Sequence, residues 1–383
     1  MNPEEPLITT VIPTYKRPRL LKRAILSVLR QDGIPKKICV YDNASSDGTK
    51  ELVESLAATH PEIEYHCHPE NIGGFANFQF GLHQVDTHFF NFLSDDDLLL
   101  PDFYKNAIAS LSIHTNAMMW AGTTVRMDDS GRIYDARLES WPREGVYSGL
   151  EGLACMTKGR APIWTGVVAR SDVLKTVGFL DEEVGSASDL DWILRIAARH
   201  AFIVSKTPSA ILTIHDQSFS ETSPLSAFWP GWIKMIHNVL DAPNLSGDDR
   251  KIIEELLYAD AKRMLFRKAV RALTKENFDY SKSATAVQKE FFNDNLTFRV
   301  LKVMHTLCMK SPTFQRAFAT LYRAAETAAL HSRQDLQDRH GHLARYLKDY
   351  EHSTQLFPQP SSSDTQPTPV PIRSVLNTRP GRQ

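Results

Sequence analysis

Residues 88–103 read HFFNFLSDDDLLLPDF, and this stretch decides the fold. His88–Leu93 is a short apolar run that predicts a strand. It ends in Ser94-Asp95-Asp96-Asp97, and Pro101 suits the first turn of a following helix. Upstream, the same unit recurs. Leu7–Pro13 (LITTVIP) predicts a strand closed by proline, and Pro18 suits a helix start. Leu20, Leu21, Ala24, Ile25, Val28 and Leu29 recur at helical spacing, so one face would pack on a sheet. Lys37–Tyr41 predicts a second strand, residues 42–48 a turn rich in helix caps, and a helix then runs through Ala57. Ile63–His68 predicts a third strand, and Phe75, Phe78, Leu82 and Val85 mark a third helix. Strands alternating with helices imply an α/β fold whose mostly parallel central sheet is covered on both faces. In such sheets ligands sit at the carboxyl ends of the strands. The polar clusters Thr14–Arg17, Asp42–Asp47, Asn71–Gly74 and Asp95–Asp97 all fall there.

Composition narrows the function classes. The 383 residues are 42% hydrophobic and 23% charged, which is ordinary for a globular protein. Lys and Arg number 44 against 45 Asp and Glu, which excludes a globally basic nucleic-acid binder; no nucleic acid is expected as a partner. No run approaches the length of a membrane-spanning helix, and MNPEEPLITT has no secretory pattern. Cys39, Cys67, Cys155 and Cys308 are dispersed, which speaks against a disulfide framework or zinc site. A cytoplasmic location is the expectation.

The clusters suit a definite chemistry. Three consecutive aspartates crowd like charges unless a cation compensates them. Hard oxygen ligands suit Mg²⁺ or Mn²⁺, which commonly also bind substrate phosphates. The same acids would also suit a helix start. Gly73 and Gly74 either let backbone approach a ligand or simply shape a turn. Asp42 could accept a hydrogen bond from a nucleobase, or serve only as a turn residue.

Five motifs in order carry a resemblance. VIPTYKRP (11–18), VYDNASSDGT (40–49), NIGGFANFQFG (71–81), SDDDLLLPDF (94–103) and VGFLDEEVGSASDLDWILRIA (177–197) are similar to those of family 2 glycosyltransferases. The resemblance implies a GT-A (Rossmann-like) nucleotide-sugar-binding domain and an inverting transfer to a hydroxyl. It places Pro13, Thr14 and Tyr15 along the base and ribose, and Asp42 on the base. It puts Gly73, Gly74 and Asn77 beside the donor and Asp96 near the ribose, and leaves Asp95 an extra carboxylate. Asp97 would bind Mn²⁺ or Mg²⁺, and His215, in the segment Ile211–Ser220, would reach the metal or diphosphate. Asp189 would be the catalytic base. The family has Glu-Asp there, and this chain has Ser188-Asp189. Asp189 could alternatively be a helix cap, and Asp191 with Arg195 reads as an ion pair. Trp164 and Trp192 read as sugar-stacking or core residues. The resemblance further implies a UDP-, dTDP- or GDP-linked sugar donor, a glycan or lipid-linked acceptor, and a place in surface-polysaccharide or O-antigen assembly.

Charge divides the chain. Residues 1–250 carry 23 basic and 32 acidic side chains, and residues 251–350 carry 18 and 11. The expected division is a catalytic domain over 1–235, a basic helical region over 236–352 and a disordered Pro/Ser-rich tail over 353–383. Apolar and basic residues alternate at helical spacing over Asp249–Lys275 and Phe298–Met309. Such helices either lie on anionic membrane at the inner face, as peripheral contacts, or pack with a solvated basic face. A non-catalytic scaffold that keeps the fold is the alternative to the enzyme.

Overall fold

The computed structural model describes residues 5–214, 225–292, 296–331 and 334–355. His215 and the tail from residue 356 lie outside the described residues. The first part runs β1 (Ile8–Thr14), α1 (Pro18–Leu29), β2 (Lys36–Asp42), α2 (Thr49–Ala57), β3 (Ile63–Cys67), α3 (Gly74–His83) and β4 (Phe89–Phe92). It continues with β5 (Leu98–Leu99), α4 (Phe103–Ile113), β6 (Ala117–Asp128), β7 (Ile133–Ala136), β8 (Gly145–Tyr147) and α5 (Gly149–Met156). Then come β9 (Val167–Arg170), α6 (Val173–Thr176), α7 (Ser188–Arg199) and β10 (Ala201–Ile214).

These strands form one sheet in the order β3-β2-β1-β4-β9-β6-β10-β5, with β7 on β6 and β8 on β10. Strands β3, β2, β1 and β4 run parallel, and so do the two longest strands, β6 and β10. The antiparallel ladders are short: β5 meets β10 through Leu98–Ile211 and Leu99–Ala210. The alternating pattern therefore gives the expected α/β sheet, and β1 is buried along its whole length as a doubly covered parallel strand must be. One boundary differs. Leu98 and Leu99 pair with β10 before α4 starts at Phe103, and Asp102 takes a left-handed φ of 62° ahead of the helix.

One glycine is required by packing. A Cβ on Gly81 of α3 would stand 2.6 Å from Val11 Cγ1 and 2.8 Å from the Tyr41 ring. The helix thus lies close on β1 and β2, beside the site edge of the sheet.

The remaining chain is helical: α8 (Leu225–Leu240), α9 (Gly247–Thr274), α10 (Phe278–Phe292), α11 (Leu296–Lys310), α12 (Pro312–His331), α13 (Gln334–His340) and α14 (Ala344–Gln355). Ser246 caps α9 by accepting the Asp249 amide. The boundary expected after residue 235 lies within α8. The last two helices return to the sheet: Leu343, Leu347 and Tyr350 pack with Leu98, Leu100, Val125 and Ile211. Gln337 seals the contact, donating to Gly131 O and accepting from Ile133 N.

Gly81→Val should destabilise the protein by about 1–3 kcal/mol, because the added carbons meet packed side chains. The midpoint of urea unfolding measures this, and an unshifted midpoint would contradict the close packing of α3.

Candidate active site

Parallel pairing of β3, β2, β1 and β4 brings their carboxyl ends to one edge, and side chains there lock the ends together. Thr14 Oγ1 donates to Asp95 Oδ2 at 2.8 Å, joining the end of β1 to the residues after β4. The Lys16 amide donates to Ser45 Oγ at 2.8 Å, joining the β1 and β2 ends. Asn43 reaches the next turn: its Nδ2 donates to Asn71 Oδ1, and its Oδ1 accepts from the Ile72 amide, each at 2.8 Å. Tyr15 is exposed at this edge, and a hydrogen bond to Asn71 holds its phenol below the usual pKa.

Asp42 is buried under the edge. Its Oδ1 accepts the Ser45 amide at 3.0 Å, the turn geometry expected of an aspartate there, and its Oδ2 accepts the Tyr65 hydroxyl at 2.7 Å. Gly73 has a φ of 89°, a left-handed conformation that side chains resist, and open space surrounds its Cβ position and that of Gly74. The glycines therefore border open space at this edge. Asn77 sits below it, fully buried, donating to Tyr41 O at 2.8 Å and bonded to His68. Pro13 pairs with Tyr41 in the β1–β2 ladder.

The three aspartates diverge. Asp95 faces Thr14 and Arg17. Asp96 Oδ2 accepts Arg17 Nη1 at 2.8 Å. Asp97 turns inward: its Oδ2 accepts the Thr165 hydroxyl at 2.6 Å and its Oδ1 the Thr213 amide at 3.0 Å. Burial, and then the neighbouring Asp96 charge, push Asp95 up to about 6 and raise Asp97 well above the carboxylate range. Because they diverge, no three of His, Cys, Asp or Glu form a metal cage among the described residues. The donor set still fits Mg²⁺ or Mn²⁺. These ions need only one or two carboxylates beside substrate phosphates. Each Asp97 oxygen accepts a hydrogen bond, from Thr165 or from the Thr213 amide, and has a second lone pair. A cation would also relieve the like-charge crowding that raises Asp97.

Asp189 opens α7, and its Oδ1 accepts the Leu190 amide at 2.7 Å. Burial raises its pKa, while the Arg137 guanidinium lowers it. No hydrogen bond joins Asp189 to the strand-end cluster among the described residues. Two residues along the helix, Asp191 does different work. It is buried against Arg195 at 2.7 Å, and Arg195 also donates to Val177 O and Phe179 O. Asn238 of α8 donates to the other Asp191 oxygen at 3.0 Å. The i,i+4 pair is thus an anchor for α7. Trp192 is buried against Phe90 and Phe92, and Trp164 packs on Phe78 and Phe92.

Sequence reasoning missed Thr165, Thr213 and Arg137. Nothing local marks the two threonines, which lie 68 and 116 residues from Asp97. Arg17 stood inside a recognised motif, yet its pairing with the acids was not foreseen.

Asp191→Ala should cost about 3–5 kcal/mol, because it leaves the Arg195 charge buried and unpaired. Asp189→Asn should cost under about 1 kcal/mol, since the amide keeps an oxygen for the Leu190 amide. Urea unfolding of both variants checks this contrast, and equal losses would contradict the separate roles.

Residues 9–178 match the sequence family described as Glycosyl transferase family 2. A GalNAc(5)-diNAcBac-PP-undecaprenol beta-1,3-glucosyltransferase of Campylobacter jejuni is 38% identical over 96 residues, 25% of this chain and 31% of that protein. A processive diacylglycerol beta-glycosyltransferase of Mycoplasma pneumoniae is 29% identical over 108 residues, 27% of this chain and 32% of that protein. The chain thus spans about a third of the length of these curated relatives. Among solved structures, S. aureus TarS 1–349 in complex with UDP-GlcNAc superposes at a TM-score of 0.59 and 15% identity, covering 83% of this chain and 92% of that one. The mannosyltransferase PcManGT from Pyrobaculum calidifontis, in complex with GDP-Man and Mn²⁺, superposes at 0.51 and 15% identity, covering 92% and 88%. Residues 9–178 thus resemble glycosyltransferase family 2, and the chain shares the GT-A fold of these structures.

Proposed function

We propose that this protein transfers a sugar from a nucleoside-diphosphate donor to a hydroxyl of a glycan or lipid-linked acceptor, with inversion. The observation that carries the reading is the single edge where Thr14, Tyr15, Asp42, the Asn71–Gly74 turn and Asp95–Asp97 meet. In this reading residues 1–235 do the chemistry, and residues 236–352 face the acceptor. Pro13, Thr14 and Tyr15 flank the base and ribose. Asp42, held rigid by Ser45 and Tyr65, offers its remaining lone pairs to the base. Gly73 and Gly74 leave room for the donor above the buried Asn77, and Asp96 approaches the ribose.

Asp97 would hold a divalent cation, Mn²⁺ or Mg²⁺, together with His215. When bound, that ion supplies Lewis-acid stabilisation of charge on the diphosphate. Thr165 and Thr213 fix the Asp97 carboxylate for that task. Arg17, now on Asp95 and Asp96, is within the same cluster and adds positive charge beside the diphosphate. Asp189 Oδ takes the proton of the acceptor hydroxyl as that oxygen attacks the anomeric carbon. The bond from that carbon to the diphosphate oxygen breaks, and configuration inverts. Desolvation suits Asp189 to the role, since it brings the carboxyl closer to neutral pH. UDP-, dTDP- and GDP-linked sugars are the donor candidates. The relatives that act on lipid-linked substrates support a place in surface-polysaccharide or O-antigen assembly at the inner face of the cytoplasmic membrane.

Asp189→Asn should keep nucleotide binding and lower transfer by about 10²–10⁴-fold. A fully active variant would move the base elsewhere. A folded wild type that binds no nucleotide would favour the scaffold alternative.

The pH profile is a second check. Asp189 must be ionised to act, and its pKa is raised, so kcat/KM should fall as pH drops, beginning above the ordinary carboxylate range. A profile flat down to about pH 4, the unperturbed carboxylate value, would contradict the assignment.

A further inference from the structure

The helix α11 has two apolar faces. Phe298, Leu301 and Cys308 are buried against neighbouring helices. On the other side, Leu296, Val300, Val303 and Leu307 are 76%, 39%, 56% and 43% exposed. Their spacing is i, i+4, i+7 and i+11, so they line one stripe about 16 Å long. Single exposed aliphatic residues are ordinary, but a continuous stripe is not. The stripe also has a charged border. Along α11 stand Arg299, Lys302 and Lys310, and the helix has no acidic residue. Where α11 meets α9, a groove of about 380 Å³ is lined by Leu296 and Val300 on one wall and by Lys262, Arg263 and Arg267 on the other.

We propose that this outward face of α11, with the basic rim of α9, docks the protein on an anionic phospholipid surface. The inference deepens the membrane part of the proposed function; it rests on the transferase reading only for its purpose, which is to hold the active site near a lipid-linked acceptor. Charge complementarity selects the occupant. A second copy laid on the stripe would bring two like sets of lysines and arginines together, whereas anionic headgroups neutralise them. The apolar stripe then enters the boundary between headgroups and acyl chains, as a helix lying in the interface does. No helix among the described residues is long and apolar enough to cross a membrane, so the contact is made by lying on the surface.

Co-sedimentation of the full chain with lipid vesicles tests this. Wild type should bind phosphatidylcholine vesicles containing phosphatidylglycerol about tenfold better than pure phosphatidylcholine, and added salt should weaken the binding. The exposed-face variant Val303→Glu/Leu307→Glu should lose binding about tenfold, and the rim variant Lys262→Gln/Arg267→Gln should lose it in part. Circular dichroism and nucleotide binding, read in parallel, establish that each variant is folded. Absent vesicle binding, or binding unchanged in the stripe variant, overturns the proposal. So does a wild-type dimer in sedimentation velocity that Val303→Glu/Leu307→Glu dissociates, since a second copy then covers the stripe. Binding that appears only after residues 356–383 are removed also overturns it, by giving the stripe to the tail. Lost vesicle binding with nucleotide binding intact defeats this inference alone; absent nucleotide binding in wild type defeats the transferase reading.

Discussion

The buried carboxylate of Asp97 is the constraint on which the site depends. It closes the seam between the two halves of the sheet. The chain leaves β4, passes through the acidic triplet and adds β5 to the far edge, beside β10. Asp97 bridges that path to Thr165, just before β9, and to the Thr213 amide of β10. Removing a carboxylate from water costs several kcal/mol, and hydrogen bonds to a charged acceptor offset about 1.5–3 kcal/mol each. Two such bonds hold the group in place while burial and the Asp96 charge keep its pKa raised. The residue that orders the seam is thus also the one most eased by an arriving cation.

The rest of the edge follows from this arrangement. Asp95 and Asp96 turn the opposite way, where Thr14 and Arg17 meet them. Arg17 compensates part of the charge, and the glycine turn leaves the space above open. The second helix end, at α7, is built separately. Asp191 and Arg195 anchor it from below, and Asp189 at its start is left with the adjacent backbone amide and the more distant Arg137 charge. Anchor and candidate base are two residues apart and have different jobs.

Much of this was legible in the sequence. The period of α1 and the apolar runs of β1 to β4 placed the parallel half and gathered the polar clusters on its edge. The Asp191–Arg195 spacing announced the ion pair. What could not be read has a physical cause. β5 is two residues long, too short for any period to show, and its pairing is fixed by β10 more than a hundred residues later. Thr165 and Thr213 are ordinary residues locally and matter only through contacts distant in sequence. On α11 the pattern gave an apolar helix with basic residues, but only packing separates the buried Phe298, Leu301 and Cys308 from the exposed Leu296, Val300, Val303 and Leu307. The return of α14 onto the sheet left no sign in the local pattern either.

The central claim is that this edge binds a nucleoside diphosphate through Asp97 and a divalent ion. Calorimetric titration of UDP, GDP, CDP and dTDP, each with and without Mn²⁺, into wild type and Asp97→Asn tests it most directly, because the amide keeps an oxygen for the Thr213 amide and removes only the charge. The expected result is tight binding of one nucleotide, dependent on Mn²⁺ and lost in the variant while circular dichroism stays native. Binding that is indifferent to Mn²⁺, or that survives in Asp97→Asn, would contradict it.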